Sequence, residues 1–103
     1  MTKGPDRVVV VTRDLMDGGR FRAAMSNVTV VRSLSHASVE TASLIVLDLA
    51  SGIDPLAAVA IGPDVVAYGS HVEVDKLEAA IEAGCVEAVA RSVIFRRAAD
   101  QFC

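Results

Sequence analysis

The sequence has no tryptophan, one tyrosine and three phenylalanines among its 103 residues. Aromatic stacking cannot fill its interior, so a core has to be built from Val, Ile, Leu and Ala, which suits layers of sheet and helix. Cysteine is nearly absent as well. Cys85 and Cys103 are too few for a disulfide framework, and with His36 and His71 they lack the spacing of a zinc site. Both cysteines read as free thiols, and both histidines as solvated side chains without a base role.

Basic charge is in deficit. A net charge of -3 and a pI near 5.2, with no local basic stripe, leave no electrostatic footprint for nucleic acid. No apolar run is long enough to span a bilayer. The Val8 to Val11 stretch behind Met1-Thr2-Lys3-Gly4-Pro5-Asp6-Arg7 is too brief for a signal-peptide core. The expectation is one domain over 1–103, cytoplasmic, with neither a membrane nor a nucleic-acid partner. Neither G-x-G-x-x-G nor G-x-x-x-x-G-K-[ST] occurs, so no phosphate-cradling loop of those kinds is expected.

What the chain does have is Leu44-Ile45-Val46-Leu47-Asp48-Leu49, an unbroken apolar run with one carboxylate near its end. So short a run reads as a strand buried on both faces of a parallel sheet. An ionised carboxylate is costly to bury alone, so Asp48 belongs where the strand opens into a crevice, with cations or donors around it.

The other elements follow from pattern. Arg7 to Thr12 is a second β-branched run and a buried strand, and Val28-Thr29-Val30-Val31 a third. Between them Arg13, Asp14 and Asp17 form a loop, and Phe21, Ala24, Met25 and Val28 recur at helical spacing, predicting a helix from about Asp17 to Met25. Ser35 to Ser43 is small and polar and offers at most two helical turns. Asp54-Pro55 supplies an N-cap and a first-turn proline for a helix from Pro55 to Ile61, stopped by Gly62-Pro63. Val65 to Tyr68 is a fourth strand. Val74, Leu77, Ala80 and Ile81 then give one apolar helix face, closed by Gly84. Val86 to Ala90 is a shorter, more polar strand, as an edge would be. Ser92 can cap a last helix whose Phe95, Ala98, Ala99 and Phe102 share a face.

This β-α alternation predicts a five-stranded parallel sheet in the order 2-1-3-4-5, as in flavodoxin-like folds, with helices on both sides in an α/β/α sandwich. Ligands in such folds sit at the carboxyl ends of the strands. There the order gathers Thr12, Arg13 and Asp14, then Asp48, then Gly69 and Ser70, then Arg91 and Ser92.

With these residues placed, nearly the whole chain resembles a response-regulator receiver domain, the phosphoacceptor module of two-component signalling. Leu-Ile-Val-Leu-Asp-Leu is similar to the receiver strand that carries the phosphorylated aspartate, which puts Asp48 at that position. Val65-Val66-Ala67-Tyr68-Gly69-Ser70-His71 followed by Leu77-Glu78-Ala79-Ala80-Ile81-Glu82-Ala83-Gly84 resembles the receiver's fourth strand, loop and Glu/Ala-rich helix.

The resemblance also shows what is replaced. The acidic pair that holds magnesium in a receiver falls on Thr12 and Arg13, with Asp14 one place late. The phosphate-contacting lysine falls on Arg91, the switch hydroxyl on Gly69 with Ser70 beside it, and the switch aromatic on Ala88. Arginine has no lone pair for a metal. Arg13 and Arg91 can instead balance Asp14 and Asp48, so the expectation is a salt bridge from Asp48 to Arg13 or Arg91, with no cofactor.

Three functional readings follow. The first is a pseudo-receiver, a non-enzymatic interaction module whose partner is another signalling protein or a second copy. It would use the last two helices and fifth strand, with Val93, Ile94 and the Phe95/Phe102 stripe as candidates, although core packing suits the two phenylalanines better. The second is an atypical phosphoacceptor in which Asp48 is the nucleophile, Arg91 neutralises the phosphoryl group and Asp14 helps Asp48 hold magnesium. The third is a binder of a small anion between Arg13, Arg91 and the Gly18-Gly19 backbone.

Overall fold

Four consecutive valines have no solvent-facing side, and the computed structural model buries all of them. It describes residues 5–102; Met1 to Gly4 and Cys103 lie outside the described residues. The elements are β1 (Val8–Val11), α1 (Leu15–Ala24), β2 (Val28–Val31), a 3-10 turn Ala37–Val39, β3 (Leu44–Asp48), a 3-10 turn Leu49–Ser51, α2 (Pro55–Ala60), β4 (Asp64–Gly69), α3 (Val74–Glu82), β5 (Glu87–Ala90) and α4 (Arg91–Ala99). The sheet runs β2-β1-β3-β4-β5 with every pair parallel, the flavodoxin-like order expected from the sequence.

Period-two alternation divides each strand between two cores. Val9, Val11, Ile45 and Leu47 pack with Val39, with Ala58 of α2 and with Ala80 of α3. Val8, Val10, Val46 and Val66 pack with Phe21 of α1 and with Ile94, Phe95 and Ala98 of α4. Both faces of the sheet are covered, which is why its central strands carry no polar alternation.

Several boundaries differ from the sequence reading. The helix α1 starts at Leu15 rather than near Asp17, because Asp14 caps it by accepting from the Met16 and Asp17 amides at 2.9 and 3.1 Å. The stretch between β2 and β3 forms only a 3-10 turn, so among the described residues four α-helices rather than five accompany the strands. Ser92 is not the cap of α4. That helix begins directly after β5 with Ala90 at its N-cap position and no capping side chain, leaving Ser92 inside its first turn. Asp54 does cap α2, accepting from the Leu56 amide at 3.0 Å.

In α4 Ile94 and Phe95 are buried and Ala99 is exposed; the helix ends at Ala99, so Phe102 lies beyond it, half-buried, instead of on its face as expected. The phenylalanines therefore serve mainly the core, and Ile94 is withdrawn from any surface. Gly84, at φ +111°, follows α3 in a left-handed conformation, and a Cβ there would meet Val59 of α2 at 3.0 Å. Glycine is required at that position both for its backbone and for its lack of volume.

Candidate functional site

The register of β1 and β3 pairs Val11 with Leu47, so the next residues, Thr12 and Asp48, emerge side by side at the carboxyl end of the sheet. Both are buried, at 2% exposure. Asp48 accepts three hydrogen bonds: the Thr12 hydroxyl donates to Oδ2 at 2.7 Å, the Ser51 hydroxyl to the same oxygen at 3.0 Å, and the Ala50 amide to Oδ1 at 3.0 Å.

These hydroxyls are themselves acceptors. The Asp14 amide donates to Thr12 Oγ1 at 3.1 Å and the Arg13 amide to Ser51 Oγ at 2.9 Å. The loop after β1 is thereby laced to the end of β3 through two side-chain oxygens, and Asp48 stands at the centre of that lacing.

The expected salt bridge from Asp48 is not formed. Arg13 contributes its main chain, and its side chain is exposed. Arg91 is engaged elsewhere: its Nη1 and Nη2 donate to Asp17 Oδ2 and Oδ1 at 2.6 and 2.5 Å, a bidentate fork. The Tyr68 hydroxyl also donates to Asp17 Oδ2, at 2.9 Å. The pairing of Arg91 with Asp48 fails because Asp17, in the first turn of α1, offers a buried carboxylate to which the fork of Arg91 fits with both nitrogens.

Charge and burial compete at this second carboxylate. Burial pushes the Asp17 carboxyl up, but hydrogen bonds from Arg91 and Tyr68, aided by the charges of Arg91 and Arg20, outweigh it and hold the group below the ordinary aspartate range. Asp17 in turn raises Arg91. Tyr68 lies between the two acids, since its register partner on β3 is Asp48. Burial pushes its phenol strongly upward, the charges of Asp48 and Asp17 add to this, and the Thr12 hydroxyl acts in the opposite sense.

The remaining predicted positions have local roles. Asp14 spends Oδ1 on two helix amides. Gly69 ends β4 and is buried, yet a Cβ there would find only ordinary contacts, the nearest with Leu49 at 3.6 Å. Ser70 accepts from the Val72 amide at 3.4 Å, a local turn. Ala88 sits on β5 beside Ala67 of β4, where no ring is available. His36 accepts from the Ser38 amide through Nδ1, as the cap of the 3-10 turn Ala37–Val39. Cys85 is buried, and burial pushes its thiol up, away from reactivity.

Asp17, Ser51 and Tyr68 were not among the candidates taken from sequence. Asp17 carried a signal, because it shares a helix stripe with Phe21 and Ala24 and so points inward. Ser51 had none beyond lying three residues after Asp48. Tyr68 passes as a strand residue by its propensity.

No family model matches the chain, and neither a curated protein nor a solved structure matches it. No group of three or more His, Cys, Asp or Glu side chains suited to a metal occurs among the described residues, and none of their helices is long and apolar enough to cross a membrane. A cavity of about 520 Å³ lies at the opposite, amino-terminal end of the strands, against Leu44, Asp64, Val66 and Glu87, remote in the sheet from Asp48. The carboxyl end of the sheet carries the buried polar network around Asp48 and Asp17, and the candidate site is placed there.

Proposed function

We propose that this chain is a receiver-like interaction module whose phosphoacceptor position is held closed by hydroxyl groups. The observation that supports it is the state of Asp48. Both of its oxygens are used by Thr12, Ser51 and the Ala50 amide, inside a fold of the flavodoxin-like strand order. A phosphoryl acceptor needs a free oxygen and cations to offset incoming charge. Here a hydroxyl and an exposed arginine occupy the places of the metal-binding acids, and the cation after β5 is committed to Asp17. In this reading the module performs no catalysis, needs no cofactor, and acts by contact with a signalling partner.

The test is exposure to beryllofluoride or acetyl phosphate with magnesium, followed by intact-mass measurement and amide NMR. The expected outcome is an unchanged mass and unmoved amide signals for Ala50 and Ser51. A mass gain in the wild-type protein that Asp48→Asn lacks would overturn the proposal in favour of an atypical phosphoacceptor.

A further inference from the structure

The helical layers on the two sides of the sheet carry opposite charge. On one side α1 and α4 hold Arg20, Arg22, Arg91, Arg96 and Arg97 against a single acid, Asp17. On the other, α3 holds Asp75, Glu78 and Glu82 against Lys76, and α2 has no charged residue. Internal pairing does not erase the difference. Arg91 is taken by Asp17, Arg97 by Glu87 and Lys76 by Glu73. Arg22 and Arg96 are exposed with no ion-pair partner among the described residues, and so are Asp75, Glu78 and Glu82.

Exposed apolar side chains accompany the charge on both α1 and α3, while Leu56, Val72 and Val86 are exposed outside these two helices. Leu15 and Met16, at 82% and 79% exposure, open the outward face of α1 and lead at helical spacing to Arg20 and Arg22. On α3, Val74 and Ile81 are 52% and 49% exposed and bracket Asp75 and Glu78. The helices have 10 and 9 residues, so the stripes are nearly equal in length. Each offers apolar contact beside charge of one sign, and the signs are complementary.

We propose that the α1 face of one copy docks on the α3 face of a second copy. Like faces repel, so charge selects α3 rather than another α1 as the occupant. Because the two faces lie on opposite sides of the sheet, the contact is head to tail and propagates rather than closing as a two-fold dimer. A single helix stripe falls short of the roughly 800 Å² per partner of a stable interface, so the association is weak and sensitive to salt. The proposal is independent of the chemistry at Asp48 and goes beyond the interaction-module reading by naming the partner and both surfaces.

Sedimentation velocity over a concentration series tests it at about 0.01 M and about 1 M salt, where the screening length falls from ~30 Å to ~3 Å. The wild-type protein should show a sedimentation coefficient that rises with concentration at low salt and not at high salt. Arg20→Glu, Arg22→Glu and Arg96→Glu together make both faces acidic, and Glu78→Lys with Glu82→Lys makes both basic. Each substituted protein alone should stay monomeric, whereas an equal mixture should associate again, since the reversed faces match each other. A wild type monomeric at low salt, a variant that associates alone, or a mixture of folded variants that stays monomeric would each overturn the proposal. Folding of each variant is checked by circular dichroism, and Gln replacements at the same positions, expected to weaken association without rescue on mixing, serve where a reversal does not fold.

Discussion

Arg91 and Asp17, separated by 74 positions in the chain, form a bidentate pair at 2.6 and 2.5 Å that ties the first helix to the last. The Asp17 side chain is 2% exposed and that of Arg91 is 40% exposed, so water reaches one partner only. The Arg20 guanidinium adds a second tie, 3.7 Å from the centre of the Phe95 ring.

Removing one member of this pair strands the other. Arg91→Ala should destabilise the protein by about 3 kcal/mol, because Asp17 would keep only the Tyr68 hydroxyl as a side-chain donor. Asp17→Asn with Arg91→Met should lose less than the sum of the two single changes. Urea unfolding of the four proteins checks this as a double-mutant cycle, and strict additivity would deny the coupling.

The same pair makes stability fall with acid. Asp17 titrates in the folded state below its ordinary value of 3.8, so its contribution is complete above that value and disappears as pH falls through the lower, folded one. Unfolding free energy measured between about pH 5 and about pH 2 should therefore drop less steeply in Asp17→Asn than in wild type. Glu87, lowered by its hydrogen bonds from Arg97, acts in the same direction, but it is half-exposed and screened.

Tyr68 is the sole tyrosine, which makes it a clean optical probe. Its phenol is raised far above its usual value of 10.0, so alkali ionises the unfolded chain first and stability is lost as pH rises through that value. Phenolate absorbance should therefore appear together with loss of helical circular dichroism, in one cooperative step. Tyrosine ionisation in a still folded protein would contradict the burial of this ring.

At Asp48 the hydroxyls carry the load and the neighbouring arginine does not. Thr12→Val should cost roughly 1–3 kcal/mol by leaving a buried carboxylate oxygen with fewer donors, while Arg13→Ala should stay within about 0.5 kcal/mol. Equal effects in urea melts would restore the salt-bridge expectation that the structure replaces.

Glycine positions separate in the same way. Gly84→Ala should destabilise, because its φ of +111° and the 3.0 Å approach to Val59 both oppose a Cβ. Gly69→Ala meets only ordinary contacts and should be neutral or stabilising by up to about 1 kcal/mol. Thermal unfolding of the two variants distinguishes them.

The layers and their order were legible in the residue pattern. Unbroken runs such as Val8 to Val11 and Leu44 to Leu47 admit only strands buried on both faces, and their β-α alternation leads to the parallel order observed. It also delivered Thr12 and Asp48 to the same end of the sheet, since strand ends follow from strand positions. The capping of α1 by Asp14 was misplaced because a side chain that bonds amides two and three residues ahead looks, in sequence, like a loop acid.

Which charge meets which depends on how the elements pack. Arg91 lies the same small distance in sequence from the end of β5 whether it reaches Asp48 or Asp17, and the choice depends on where α1 sets down its first turn. Ser51 likewise acquires its role only when a 3-10 turn folds it back over Asp48. Hydrophobic periodicity acts along one element and is written locally. Ion pairs and hydrogen bonds between elements depend on ångström distances across the packed fold, and one sequence does not encode these in any local pattern.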